Sequence, residues 1–135
     1  MVDKSSTMGI TALSPADRSD WERLWRGYQE FYGVSLSSEA TDANWARLLD
    51  PDEPIFGAIA ILGGVKVGLA HWIFHRSTWS IGDYCYLQDL FVDKSARGHG
   101  LGRSLVEFVY DAALAHDCPR VYWLTHETNN DAQAL

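Results

Sequence analysis

Apolar positions along this chain follow a helical rhythm first and a strand rhythm afterwards. Trp21, Leu24, Trp25, Tyr28, Phe31 and Tyr32 stand at i, i+3, i+4, i+7, i+10 and i+11, which is one face of an α-helix ending near Gly33. Ser14-Pro15-Ala16-Asp17 reads as its start: Ser14 can cap, Pro15 suits the first helical position, and Asp17 lies three residues after the cap. A short strand is expected ahead of it over 8–13. A second, shorter helix is expected over 41–49, with Trp45, Leu48 and Leu49 turned inward. Then the period changes. The apolar run 55–62, the turn Gly63-Gly64 and the returning run 65–74 predict a β-hairpin. A third long strand covers 83–92. Strict alternation places Tyr84, Tyr86, Gln88, Leu90 and Val92 on one face and Cys85, Leu87, Asp89 and Phe91 on the other. After a polar loop at 93–97, Leu101, Leu105, Phe108, Val109 and Ala112 mark a helix from about 99 to 116, and 121–125 reads as a strand. The strand–helix–strand unit over 83–125 predicts a right-handed crossover with parallel neighbouring strands. The pattern is that of an α/β domain with a mixed sheet.

Composition narrows this further. A chain of 135 residues, 47% hydrophobic and 13% aromatic, is expected to form a single domain over 1–135 with a real core. The longest mainly apolar run, 55–70, contains Lys66 and falls short of the roughly 20 apolar residues of a membrane span. The polar start 1–7 does not resemble a signal peptide. Two cysteines, Cys85 and Cys118, make neither a disulfide framework nor a CxxC pair, so a reducing, cytoplasmic setting is expected. The net charge of −7 argues against nucleic acid and anionic membranes as partners. It suits a cationic substrate, although plain solubility accounts for it equally.

The chemistry is concentrated at Arg97-Gly98-His99-Gly100-Leu101-Gly102-Arg103, between a strand and a helix. A helix start offers unpaired N–H groups and a partial positive charge, a ready anion site. Glycines let an anion approach that backbone, and Arg97 and Arg103 add full charges. The segment therefore reads as a phosphate or pyrophosphate cradle. The P-loop pattern is absent, and the dinucleotide fingerprint fails because Arg103 stands where its third glycine is required.

This loop resembles the acetyl-CoA pyrophosphate loop of the GCN5-related N-acetyltransferase (GNAT) superfamily. The likeness continues into Tyr86-Leu87-Gln88-Asp89-Leu90-Phe91-Val92-Asp93, similar to the family's central strand, and into 104–116 and 129–135, similar to helices that follow. Residues 8–49 fit its opening strand and two helices. The segment from Val121 to Gln133 is most similar to the histone and polyamine (diamine) acetyltransferase branch. The resemblance implies a central, mostly antiparallel sheet with one splayed parallel pair, flanked by helices. It implies backbone contacts from Leu90, Phe91 and Val92 to pantetheine, a pyrophosphate held by residues from Arg97 through Gly98, His99, Gly100, Leu101 and Gly102 to Arg103, and cofactor contacts from Asn129 and Ala132. It also implies an acceptor wall at Glu30, Phe31 and Tyr32, with Gln88, Tyr122, Trp123 and Leu124 beside it. Core positions are the other reading of the first three, and half of the last three are core by alternation.

Amide formation sets the remaining demands. An alkyl amine with a pKa near 10.4 is neutral in only about one molecule in two thousand at pH 7, so its proton must be accepted. Asp89 is the candidate for binding the acceptor cation and relaying that proton; the alternative is a carboxylate with a structural partner. Gln88 stands where diamine acetyltransferases often carry an acid, and glutamine is no base. A backbone N–H near Leu90 or Phe91 could serve the oxyanion. The family's acid, a tyrosine, would fall just after Leu135, so the chain is expected to be a GNAT domain truncated at its C-terminus. The expected activity is transfer of acetyl from acetyl-CoA to a primary amine, on a small cationic amine or a lysine-like side chain, by direct attack in a ternary complex. The alternative is a non-catalytic acyl-CoA-binding module. A homodimer is compatible with the family. No metal is expected: His71 and His75 are four apart, but no further ligand is evident.

Overall fold

The computed structural model describes residues 7–124. Among these residues the strands β1 (Met8–Ala12), β2 (Ile55–Leu62), β3 (Val65–His75), β4 (Tyr84–Val92) and β5 (Val121–Tyr122) form one sheet in that order. The first four are antiparallel, and β4 pairs β5 in parallel. The helices α1 (Arg18–Phe31) and α2 (Ser38–Leu48) cover one face; α3 (Leu101–Ala115) covers the other. This is a mixed α+β fold with one parallel pair flanked by helices. No helix among the described residues is long and apolar enough to cross a membrane.

Local sequence signals account for most boundaries. The Ser14 N–H donates to Asp17 Oδ2 at 2.9 Å and the Ser14 hydroxyl donates to the same oxygen at 3.2 Å, closing a first turn before α1. At the other end of α1, Gly33 takes φ +68°, with its N–H on Glu30 O and the Val34 N–H on Gln29 O. That left-handed residue ends the helix because it costs glycine little. The second helix begins at Ser38 rather than 41, because the Ser37 hydroxyl accepts from the Ala40 N–H at 3.1 Å and starts it one turn early.

Two expectations need correction. Phe31 and Tyr32 continue the helical stripe but are exposed, while Gln29 is buried. Its Oε1 accepts from the Leu36 N–H at 2.8 Å, so the segment returning after Gly33 packs on the glutamine instead. The alternation of β4 also breaks. His71 pairs with Asp89 and Trp72 with Leu87, which leaves Gln88 as an extra residue. Such a β-bulge reverses the side-chain parity of everything after it. Cys85 and Leu87 face α3 before the bulge, Leu90 and Val92 face it afterwards, and Phe91 packs on α1.

The last strand is short. It pairs with β4 only at Cys85↔Val121 and Tyr86↔Tyr122. Among the described residues, the outer edge of β4 from Leu87 to Val92 therefore has no strand beside it. That open edge and the loop before α3 position the site.

Candidate active site

The loop between β4 and α3 is pinned at both ends by side chains in the α3-side core, Ala96 and Leu101. Between them, Gly98 and Gly100 take φ +89° and +76°. A Cβ at either would meet nothing within 4 Å, so the backbone conformation, not space within the chain, demands glycine here. The first backbone bond of α3 runs from the Ser104 N–H to Gly100 O at 3.0 Å. The N–H groups of Leu101, Gly102 and Arg103 precede that ladder and head the helix. Leu101 thus offers only its N–H to a ligand, its side chain being in the core. Arg97 donates through Nε to Val92 O at 3.1 Å, which sets its guanidinium over the end of β4. Arg103 lies along α3 in an exposed ion pair with Glu107 at 3.3 Å. His99 is exposed. The donors and charges gathered here fit a pyrophosphate.

The middle of β4 joins this loop to a second set of groups. Leu90 and Val92 point into the α3-side core, which leaves their backbone at the open edge. The ring of Phe91 meets Tyr28 edge-on at 6.3 Å and fits against Gly27, whose added Cβ would lie 3.1 Å from Phe91 Cζ. Gln88 is exposed on the bulge. Asp89, next to it, is buried, and its Oδ2 lies 2.9 Å from Nδ1 of His71, itself fully buried. The Trp21 indole N–H donates to His71 Nε2 at 2.9 Å. Burial pushes the Tyr28 phenol far above its ordinary value; the charge of Asp89 and a hydrogen bond with it add to the effect. The Tyr86 phenol is raised by burial and then by Asp89. Among the described residues Asp89 makes no ion pair with a lysine or arginine. It is a buried carboxylate whose hydrogen-bond partners are His71 and Tyr28.

Tyr122 lies nearby. It stacks on Tyr86 at 5.0 Å, and its Oη is 2.6 Å from His75 Nε2. His75 Nδ1 meets the Arg76 carbonyl, which only accepts, so the neutral ring carries its proton on Nδ1 and accepts from the tyrosine hydroxyl at Nε2. Tyr32 packs on Tyr28 at 4.9 Å and is thereby joined to this set, whereas Glu30 and Phe31 lie on the exposed rim. Trp123 and Leu124 are exposed, and no contact brings them to Asp89. Asn129 and Ala132 lie outside the described residues. Sequence reasoning passed over Trp21, Tyr28 and Tyr86 as site residues; it weighed His71 only as a metal partner of His75, set that aside, and did not join His71 to Asp89. The useful signal was a histidine and an aspartate on consecutive antiparallel strands, but their register depends on the bulge.

The fold and this site define a class. Residues 21–135 match the sequence model of the acetyltransferase (GNAT) family, and the chain belongs to that family of acetyltransferases. It is 37% identical over 128 residues to the D-amino-acid N-acetyltransferase HPA3 of Saccharomyces cerevisiae, covering 93% of this chain and 80% of that protein. It is 27% identical to the thialysine N-epsilon-acetyltransferase of Mus musculus, covering 93% and 79%. Among solved structures, AAC(6')-Iy in complex with the bisubstrate analog CoA-S-monomethyl-acetylneamine shares the fold with a TM-score of 0.82 at 20% identity, covering 95% of this chain and 86% of that one.

Proposed function

We propose that this protein transfers the acetyl group of acetyl-CoA to the primary amine of a small cationic amine or a lysine-like side chain. The observation that carries the acceptor side is Asp89: a buried carboxylate, beside an open strand edge, with no lysine or arginine partner among the described residues. Burying an unbalanced anion is costly unless a cation joins it. An ammonium group would supply that charge, and the rings of Tyr28 and Tyr86 beside it suit a cation. The names of the relatives, a D-amino-acid N-acetyltransferase and thialysine N-epsilon-acetyltransferases, also favour an amino-group acceptor.

In this reading the pyrophosphate of acetyl-CoA meets the N–H groups at the head of α3, with Arg97 beside them. The pantetheine arm lies along the edge at Leu90, Phe91 and Val92, as an added strand would. The thioester then comes level with the bulge. Asp89 holds the acceptor ammonium and takes its proton, directly or through water, as the nitrogen attacks the carbonyl carbon. A backbone N–H near Leu90 or Phe91 donates to the tetrahedral oxyanion. As the C–S bond breaks, the nitrogen's second proton passes, directly or through water, to the departing sulfur, which leaves the N-acetyl product and the CoA thiol. Gln88 cannot act as a base, which leaves this role to Asp89.

The test is thiol release from acetyl-CoA over polyamines, lysine, thialysine and D-amino acids. Turnover with a cationic amine is expected, and Asp89→Asn should raise the acceptor KM by about tenfold or more while acetyl-CoA still binds. Acetyl-CoA binding without thiol release for any amine would point to a non-catalytic acyl-CoA-binding module. Stabilisation by NAD but not by CoA would overturn the cofactor reading.

A further inference from the structure

We propose that His71 and Trp21 act as a positioning pair that keeps the Asp89 carboxylate both aimed and charged for the acceptor amine. This rests on the role given to Asp89 above. The three side chains come from α1, β3 and β4 and form one buried line, Trp21 to His71 to Asp89, with both hydrogen bonds at 2.9 Å. An indole N–H can only donate. His71 Nε2 must therefore accept, and a neutral imidazole then carries its proton on Nδ1. That proton faces Asp89 Oδ2. The direction of the whole line is set at its far end, by a tryptophan that touches no substrate.

The charge follows from the tautomer. A neutral histidine donating to a carboxylate leaves the net charge of the pair at one negative unit, available to an ammonium ion. An imidazolium would cancel it. A second proton on His71 would have to sit on Nε2, facing the Trp21 N–H, so that two donors opposed each other in a buried place. Trp21 therefore excludes the state in which the site would lose its attraction for a cation. Among the described residues the groups facing His71 and Asp89 are uncharged: Trp25 packs edge-on against His71 at 4.9 Å, and the phenols of Tyr28 and Tyr86 face Asp89. The one cation near the line among these residues is the Arg18 guanidinium, 5.7 Å over the Trp21 ring and so on its tryptophan end.

Nitrogen-15 NMR of the histidine rings at neutral pH tests the line without any turnover. His71, assigned by its loss in His71→Asn, is expected as the Nδ1–H tautomer, with a downfield Nδ1 proton that moves in Asp89→Asn. An Nε2–H tautomer or an imidazolium signal would overturn the proposal. Kinetics then test the role. His71→Leu and Trp21→Phe should raise the acceptor KM by about tenfold with the acetyl-CoA KM little changed, and His71→Asn, which keeps a donor toward Asp89, should recover part of the loss. An acceptor KM unmoved in His71→Leu, when Asp89→Asn raises it, would overturn the positioning role alone. An acceptor KM unmoved in Asp89→Asn would overturn the reading of Asp89 and this role with it. Should the core variants fail to fold, His71 is assigned as the one ring signal that survives in His75→Asn, His99→Asn, His116→Asn and His126→Asn, and its wild-type tautomer still decides.

Discussion

The Tyr122 hydroxyl donates to His75 Nε2 at 2.6 Å and so ties β5 to β3 across the intervening β4. Since β5 pairs with β4 at two positions only, this bond helps hold the strands together just where they begin to part. Tyr122→Phe keeps the ring stacked on Tyr86 and removes only the hydroxyl. It should lower stability by about 0.5–1.5 kcal/mol, read by urea unfolding. An unchanged midpoint would mean that the bond does not hold the strand.

Gly100→Val should abolish tight acetyl-CoA binding while leaving the far-ultraviolet circular dichroism native. A β-branched residue at φ +76° costs about 1–2 kcal/mol or more in backbone strain. Its side chain would also stand in the open space before the α3 N–H groups, where the pyrophosphate is proposed to sit. Calorimetric titration with CoA measures the loss; unaltered affinity would refute the cradle.

Gly68→Ala should destabilise the protein and weaken acetyl-CoA binding together. The added Cβ would lie 2.9 Å from the carbonyl oxygen of Phe91 and 3.2 Å from Ala60 Cβ. Backbone cannot yield as a flexible side chain can, so β3 and β4 must separate at the proposed pantetheine edge. A loss of about 1–3 kcal/mol is expected by thermal melting.

Acid should weaken the fold partly through Asp17. Burial pushes this carboxyl up, but hydrogen bonds from Lys66 and from the Ser14 N–H, with the Lys66 charge, outweigh it and hold the carboxyl below its usual 3.8. A carboxyl lowered in the folded state stabilises fully above its unfolded value. That contribution is lost as pH falls through the lowered folded value. Urea midpoints measured from neutral pH to below 3.8 should decline in this window, and Lys66→Met should flatten the decline.

Cys85 should be inert to thiol reagents in the native protein. Burial, and then the neighbouring Cys118, push its thiol up to about 12, so almost no thiolate forms at neutral pH. The Cys118 thiol is also raised, first by burial. Labelling with an aromatic disulfide should be slow before urea and complete after it. Fast native labelling at Cys85 would contradict its burial.

Much of the architecture was legible because its signals are local. The Ser14 cap, the Gly33 stop and the Gly63-Gly64 turn each act over a few residues, and the apolar periods between them name helices and strands. The loop from Arg97 to Arg103 was legible for the same reason: its glycines and arginines lie side by side. The acceptor side was not. Phe31 and Tyr32 extend a helical stripe whose last turn is exposed, and nothing in their spacing shows where the sheet beneath it stops.

The sequence by itself determined the kinds of element, the order in which they come and the glycine- and arginine-rich turn at the head of α3, since these depend on neighbours along the chain. Only the tertiary structure decided the surroundings of Asp89. One extra residue at Gln88 reverses the side-chain parity of β4, brings Asp89 opposite His71, and lets Trp21, from another element 50 residues before His71, choose the tautomer between them. Register between strands and the direction of a buried hydrogen bond depend on groups far apart in sequence, and they exist only once the sheet and α1 have packed together.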